Sequence, residues 1–201
     1  ANCHLKAGQP TAPDCKPLVF YGTSITQGGC VSRPGMVYAV SVGRRLNRPV
    51  INLGFRGNGT MDTELMNMLA ELDPAVYVLD CLPNLVGSYV NNGELKKRII
   101  ASIEQLHQKR PGVPILLAEH DGYTDGGVNP TRKKDYSDAN AVLKATVDSL
   151  IASGTPGLFY LTEKEIGQDL ESTVDGTHPN DIGMMHYADA YAKKISGMLE
   201  E

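Results

Sequence analysis

The 201-residue chain has no tryptophan, only three phenylalanines and no long apolar run. Its apolar stretches, such as 114–118, are far shorter than the roughly 20 residues that a membrane-spanning helix needs, so no such helix is predicted. A secretory signal is also missing. The chain begins with Ala-Asn-Cys instead of methionine, and we therefore expect a mature form or an excised domain.

The sequence also lacks a marked excess of charge of either sign. The formal net charge of −4 gives no electrostatic reason to expect binding to nucleic acid or to an anionic membrane. Hydrophobic residues make up 41% and charged residues 21% of the chain, which is ordinary for a globular protein. The length suits one α/β domain better than two.

Cysteine is scarce, with four residues and no C-x-x-C pair or Cys/His cluster of the kind that binds zinc. We predict neither a metal nor an organic cofactor. The even number permits disulfides, either Cys3–Cys15 in the N-terminal segment or Cys30–Cys81 farther along. Four free thiols fit the sequence equally well, so composition does not decide the redox compartment.

Residues 1–17 are polar and proline-containing, and we interpret them as a tail or linker before a domain at 18–201. Short apolar runs rich in β-branched and aromatic residues then alternate with longer amphipathic segments. The predicted strands are Leu18–Tyr21, Val50–Leu53, Val76–Asp80, Ile115–Glu119 and Leu158–Leu161. The predicted helices are 36–46, 61–71, 91–109, 138–153 and 180–199.

This alternation predicts a three-layer, doubly wound (flavodoxin-like) α/β domain with a five-stranded parallel sheet. In such a domain the functional loops follow the carboxyl ends of the strands. The segment 121–135 is a polar, glycine-containing loop in this interpretation. Loops of that length in compact domains are often functional.

A serine follows the first strand, in the segment Gly22-Thr23-Ser24. Its hydroxyl would lie on a tight turn at the sheet edge, where small neighbours let a substrate approach. An ordinary structural turn is the alternative. Phosphate binding is disfavoured because neither the P-loop pattern nor the dinucleotide-binding glycine pattern is present.

A carboxylate and an imidazole stand together before the last helix, at Asp175 and His178. A serine hydroxyl is a weak nucleophile at neutral pH and needs a base within hydrogen-bond reach, and histidine is the usual choice. A nearby carboxylate holds that histidine in one tautomer. The alternative interpretation is a helix N-cap turn, because aspartate, threonine and asparagine all cap well.

Taken in order, these segments resemble the motif blocks of the SGNH (GDSL-type) serine hydrolases. Segment 22–24 is similar to the first block, with Thr23 in place of the usual aspartate, and segment 52–54 is similar to the block that supplies a glycine. Segment 82–84 stands where the family has its asparagine, and segment 175–179 matches the final D-x-x-H block. The resemblance spans about residues 18–199.

The resemblance implies an esterase with Ser24 as nucleophile, His178 as general base and Asp175 as the residue that orients it. It also implies an oxyanion hole formed by the backbone N–H of Ser24, the backbone N–H of Gly54 and the side-chain amide of Asn84. Three glycines, at 54, 57 and 59, compete for the second position. Gly54 is preferred because it directly ends its strand.

Two further side chains are candidates for substrate contacts. Arg56 lies in the glycine-containing loop and would either recognise an acidic group or point to solvent. His120 ends the fourth strand at the same edge. The amino-acid sequences of the first and third blocks resemble those of a bacterial subgroup whose members are often joined to a β-sandwich domain. That implies an extracytoplasmic location and a short acyl ester, such as one on a carbohydrate, as the substrate.

Two other functions compete with an esterase. A non-catalytic binding domain of the same fold would leave a serine, an asparagine, an aspartate and a histidine in catalytic order with nothing to catalyse. A flavodoxin-type phosphate or flavin site would leave Asp175 and His178 unexplained. The sequence therefore favours the esterase over both.

Overall fold

The structure, a computed structural model, describes residues 15–200. Five parallel strands form one sheet in the order β2-β1-β3-β4-β5. The strands are β1 (Leu18–Gly22), β2 (Val50–Gly54), β3 (Val76–Asp80), β4 (Ile115–Ala118) and β5 (Leu158–Leu161). The predicted sheet is confirmed, and each predicted strand agrees with the structure to within one residue.

Eight α-helices connect and cover the strands in the described part of the chain. They are α1 (Ser24–Gln27), α2 (Tyr38–Leu46), α3 (Thr63–Leu69), α4 (Ser88–Asn91), α5 (Glu94–Lys109), α6 (Pro130–Ala152), α7 (Glu163–Ile166) and α8 (Asp181–Glu200). The three four-residue helices were not predicted, because a single turn is too short to show an apolar period. None of these helices is both long enough and apolar enough to span a bilayer.

Two apolar layers sandwich the sheet. Alternate strand residues point to opposite faces, so Val19 and Tyr21 pack with α3, α5 and α6, while Leu18 and Phe20 pack with α2 and α8. Both faces are therefore buried, which explains why the strands are apolar at nearly every position.

Helix α6 begins eight residues earlier than the sequence suggested. Pro130 occupies its first turn, where a missing N–H costs nothing, and Asn129 Oδ1 accepts the backbone N–H of Arg132 at 3.2 Å. The residues up to Ser137 are polar and carry no apolar period. The loop expected at 121–135 therefore ends at Asn129.

The proposed Cys30–Cys81 bridge is wrong, because both residues are free thiols. Cys81 is fully buried and its Sγ lies 3.6 Å from the backbone oxygen of Tyr21. The alternative pairing, Cys3–Cys15, falls outside the described residues because Cys3 precedes them. The same holds for most of the predicted tail at 1–17.

Gly54, at the end of β2, packs closely against the backbone of α1. A Cβ atom at this position would lie 2.1 Å from the backbone nitrogen of Gln27 and 2.6 Å from the carbonyl carbon of Thr26. Both are backbone atoms, so neither can rotate away. The absence of a side chain at Gly54 is what lets α1 rest directly on the end of β2.

We predict that Gly54→Ala lowers the free energy of unfolding by about 1–3 kcal/mol or more, because α1 must move to admit the methyl group. The matched control is Gly197→Ala on α8, where no atom lies within 4 Å of the added carbon. That change should stabilise the helix by about 0.5–1 kcal/mol. Urea denaturation of both variants measures the difference, and equal stabilities would contradict the close-packing argument.

Candidate active site

Ser24 is the first residue of α1, at the carboxyl end of β1. Thr23 caps the helix, and its Oγ1 accepts the backbone N–H of Ile25 at 3.2 Å. The first N–H groups of a helix have no partner within it, and the Ser24 N–H has no acceptor among the described residues. Ser24 is 8% exposed, so only a small part of the residue is open to solvent.

The short helix is held from both sides by side chains of the sheet. On one side Asn52 donates to the backbone oxygen of Thr26 at 2.7 Å. On the other side Asp80 Oδ2 accepts the Thr26 hydroxyl at 3.3 Å and the Tyr38 hydroxyl at 2.6 Å. These contacts fix the orientation of α1, and with it the position of Ser24.

His178 and Asp175 complete a hydrogen-bonded chain that starts at Ser24. Ser24 Oγ lies 2.9 Å from His178 Nε2, and His178 Nδ1 lies 2.7 Å from Asp175 Oδ2. The other carboxylate oxygen, Asp175 Oδ1, accepts the backbone N–H groups of His178 at 2.8 Å and Thr177 at 3.0 Å. Gly176 has a φ of +82°, so the chain curls back there and brings the carboxylate to the ring.

The same hydrogen bonds set the charge of Asp175. Partial burial raises the pKa of its carboxyl group, but hydrogen bonds from the backbone and ring of His178 outweigh that effect and lower the pKa to about 2. Asp175 is therefore ionised at neutral pH. An ionised carboxylate stabilises positive charge on the adjacent imidazole.

Side chains that the sequence did not single out hold the His178 loop in place. The Thr124 hydroxyl lies 2.9 Å from that of Thr173, and the Thr124 N–H donates to the backbone oxygen of Gly176 at 3.1 Å. Arg132 donates to Asp125 at 2.7 Å and to the Thr177 hydroxyl. No sequence pattern marks these residues, because the loop after β4 and the loop before α8 meet only in the folded chain.

The expected oxyanion-hole residues are only partly arranged as predicted. The Gly54 N–H donates to Asn52 Oδ1 at 3.0 Å, so it is not available to a substrate, and the choice of Gly54 is corrected. The Gly59 N–H is also occupied, because it donates to Asn84 Oδ1 at 3.2 Å. That bond leaves the amide nitrogen of Asn84 free to donate. Of the three glycines, Gly57 alone has an N–H without an acceptor in the described chain.

The model of the GDSL-like lipase/acylhydrolase family matches residues 15–196. The chain belongs to this family. Its parallel sheet is the SGNH hydrolase fold. No curated protein matches the chain.

Several solved structures resemble this family member. A Bacteroides ovatus protein described as GDSL-like lipase is 34% identical, with a TM-score of 0.86 over 97% of this chain, which spans 56% of that protein. A family two carbohydrate esterase from Clostridium thermocellum, solved with cellohexaose, is 16% identical, with a TM-score of 0.71. The match covers 98% of this chain and 67% of the esterase. The Mycobacterium smegmatis aryl esterase is 14% identical, with a TM-score of 0.72. The match covers 92% of this chain and 100% of the aryl esterase.

The two candidates for substrate contacts have different surroundings in the structure. Arg56 is exposed in the loop after β2, and the part of the chain that the structure describes offers its guanidinium no ion-pair partner. His120 is 0% exposed, and its Nδ1 accepts the N–H of Gly122 at 3.0 Å. Because its ring is packed against Tyr123 and Tyr136, His120 is a core residue, and the expectation that it contacts a substrate is corrected.

The described residues contain no cluster of three or more histidine, cysteine, aspartate or glutamate side chains arranged to hold a metal ion. The buried carboxyl group nearest to α1 is that of Asp80, at the end of β3. Burial raises its pKa to about 6, although the hydrogen bond from Tyr38 acts in the opposite direction, and the charge of Asp121 raises it further. Asp80 is therefore largely ionised at neutral pH, and its buried charge lowers the free energy of unfolding.

We predict that Asp80→Asn changes how stability depends on pH. The pKa of Asp80 is higher in the folded chain than its ordinary value of 3.8, so its contribution to the free energy of unfolding falls as the pH rises from about 4 to about 6. Above about pH 6 the contribution of Asp80 to the free energy of unfolding is therefore lower by about 3 kcal/mol than at low pH. The variant lacks this titration, so its stability relative to wild type should rise by that order between pH 4 and pH 7.

Asp73→Asn serves as the control with the opposite sign. A hydrogen bond from Lys16 lowers the pKa of this exposed carboxyl group, so the variant should lose stability relative to wild type, not gain it, as the pH rises. Thermal denaturation between about pH 2 and pH 8 measures both, with the change for Asp73 expected mainly below about pH 4 and that for Asp80 mainly above it. A difference between Asp80→Asn and wild type that does not vary with pH would contradict the assignment.

Proposed function

We propose that Ser24 attacks the carbonyl carbon of a carboxylic ester and forms an acyl-enzyme. The observation that carries this proposal is the hydrogen-bonded chain from Ser24 through His178 to Asp175. The hydroxyl proton passes to His178 Nε2 as the bond from Oγ to the carbonyl carbon forms. His178 then gives that proton to the alcohol oxygen as the ester bond breaks.

In the second half of the reaction a water molecule replaces the alcohol. His178 Nε2 accepts a proton from that water as its oxygen attacks the acyl carbon, and returns the proton to Ser24 Oγ when the acid leaves. Asp175 holds the imidazole in the tautomer with its free electron pair on Nε2. Its low pKa keeps it charged while the imidazolium exists.

Negative charge on the carbonyl oxygen needs fixed donors, and three groups are suited to supply them. The Ser24 N–H and the Asn84 amide have no acceptor in the described chain. For the third donor we propose Gly57 in place of Gly54, because its N–H is unoccupied and it lies in an exposed loop. Neutral donors stabilise the oxyanion without holding a competing charge.

We further propose a short acyl ester on a carbohydrate as the substrate. The structural relative described as a carbohydrate esterase in complex with cellohexaose supports this class. Because the chain spans 56% of the Bacteroides ovatus protein, an adjoining domain, such as the β-sandwich expected from the sequence, would contribute to recognition. The extracytoplasmic location stays a prediction.

We predict that Ser24→Ala and His178→Ala each lower kcat for p-nitrophenyl acetate by roughly 10⁴–10⁶-fold, because members of a catalytic unit fail together. Asp175→Asn should cost less, since the imidazole remains present. The free energy of unfolding of each variant is measured alongside. A fluorophosphonate probe should label wild type at Ser24, and a wild-type protein that neither hydrolyses short esters nor takes the label would favour the non-catalytic binding domain.

Asn84 offers a test that separates donation from folding. Asn84→Asp keeps an oxygen for the Gly59 N–H but loses the amide donor, whereas Asn84→Ala loses both. We expect both variants to lower kcat by about 10²–10³-fold and only Asn84→Ala to lower the melting temperature. Asn67→Ala, on the exposed face of α3, is the matched control and should leave kcat unchanged. An Asn84→Asp variant with the kcat of wild type would show that the Asn84 amide is not an oxyanion donor.

A further inference from the structure

The direction in which the alcohol leaves follows from the position of His178. The imidazole must give its proton to the alcohol oxygen, so that oxygen has to come within hydrogen-bond reach of Nε2. The acyl part of the ester meanwhile lies at Ser24 and the oxyanion donors. The alcohol oxygen therefore lies on the His178 side of Ser24, which is the side of the loop that carries Asp175 and Gly176.

An open groove lies where the alcohol would extend. Its volume is about 700 Å³, and it is lined by residues 124–128 after β4 and by residues 170–176 before α8. Asp175 and Gly176 are among its lining residues. Asp175 is hydrogen-bonded to His178, and His178 to Ser24. Two hydrogen bonds therefore connect a lining residue of the groove to the proposed nucleophile.

Three apolar side chains border this groove and are unusually exposed. Val128 is 88% exposed, Leu170 is 79% exposed and Val174 is 63% exposed. Val128 and Leu170 are the two most exposed large apolar residues in the described part of the chain. Exposed apolar side chains that share one concave surface mark a binding site more often than scattered ones do.

The remaining walls of the groove are polar. Thr124 and Thr173 place hydroxyl groups in it, and Asp125 contributes a carboxylate that is paired with Arg132. These groups are paired within the protein, but each hydroxyl oxygen can accept a further hydrogen bond, and Asp125 Oδ1 has no partner among the described residues. A ligand with one carbon-rich face and hydroxyl groups along its edge satisfies both kinds of wall.

The groove continues beyond the first cavity. A second cavity of about 260 Å³ shares Thr124 and Leu170 with it and is lined by Tyr123, Tyr136 and Gln168. Aromatic rings offer a flat apolar surface with a polar tip. The first cavity by itself lies in the size range of small-molecule sites, which is about 300–1,000 Å³, and the second adjoins it at Thr124 and Leu170.

We propose that this groove, lined by 124–128 and 170–176, binds the alcohol moiety of the ester, and that this moiety is a sugar or a short oligosaccharide. The carbon-rich face of a sugar ring would lie on Val128 and Leu170. Its hydroxyl groups would meet Thr124, Thr173 and Asp125. The inference rests on the proposed ester hydrolysis at Ser24 and adds the location and chemistry of the leaving-group subsite.

The test compares esters that share an acetyl group and differ in the alcohol. Methyl acetate has no alcohol that reaches the groove, and acetylated xylotetraose has one that fills it. We expect wild type to prefer the acetylated oligosaccharide in kcat/KM. In a Val128→Ser/Leu170→Ser variant, the ratio of kcat/KM for the oligosaccharide to that for methyl acetate should fall about tenfold or more, mainly through KM.

Met68→Ser is the matched control, because Met68 is 66% exposed on α3 and lies outside the groove. It should leave the ratio unchanged. A second series, of p-nitrophenyl esters from acetate to hexanoate, distinguishes an alcohol subsite from an acyl pocket. The groove variant should keep the wild-type order of acyl preference.

Three results would overturn the inference: a wild type that prefers methyl acetate, a groove variant with an unchanged ratio, or a variant whose acyl preference shifts instead. Each leaves ester hydrolysis itself standing. Loss of the proposed function would look different, because wild-type protein would then cleave neither acetate and the Ser24→Ala variant would not differ from it.

Discussion

The packing of α1 on the carboxyl edge of the sheet is the constraint on which the site depends. Gly54 admits the backbone of Thr26 and Gln27 to within contact distance, and the register of the sheet places Gly22 opposite both Gly54 and Asp80. A helix of four residues has too few internal hydrogen bonds to hold itself in place. Its orientation therefore comes from the strands beneath it.

The other half of the site is assembled from the far end of the chain. His178 follows Ser24 by 154 residues, and its loop is fastened by Thr124, Thr173 and Arg132 instead of by regular secondary structure. The strand order places β1 inside the sheet, between β2 and β3, and the His178 loop reaches Ser24 from the side of β5, at the far edge. Preorganised donors and bases of this kind lose little entropy when the substrate binds.

The support for α1 has an energetic cost. Asp80 is buried at the end of β3 with Tyr38 as its closest donor, and no cation within ion-pair distance is found for it in the described chain. A buried carboxylate in that position destabilises the folded state whenever it is ionised. Asp80 lies directly beneath α1, so this loss of stability falls next to the candidate active site.

By itself the sequence determined the order of the strands along the chain, the apolar character of both sheet faces and the identity of Ser24, Asp175 and His178 as candidates. These features are local or nearly so: a period, a turn or a pair three residues apart. Tertiary structure alone decided which glycine N–H is free, that His120 is buried, and that residues 124–128 and 170–176 form one groove. Hydrogen-bond occupancy and burial depend on residues distant in sequence, so no local pattern could reveal them.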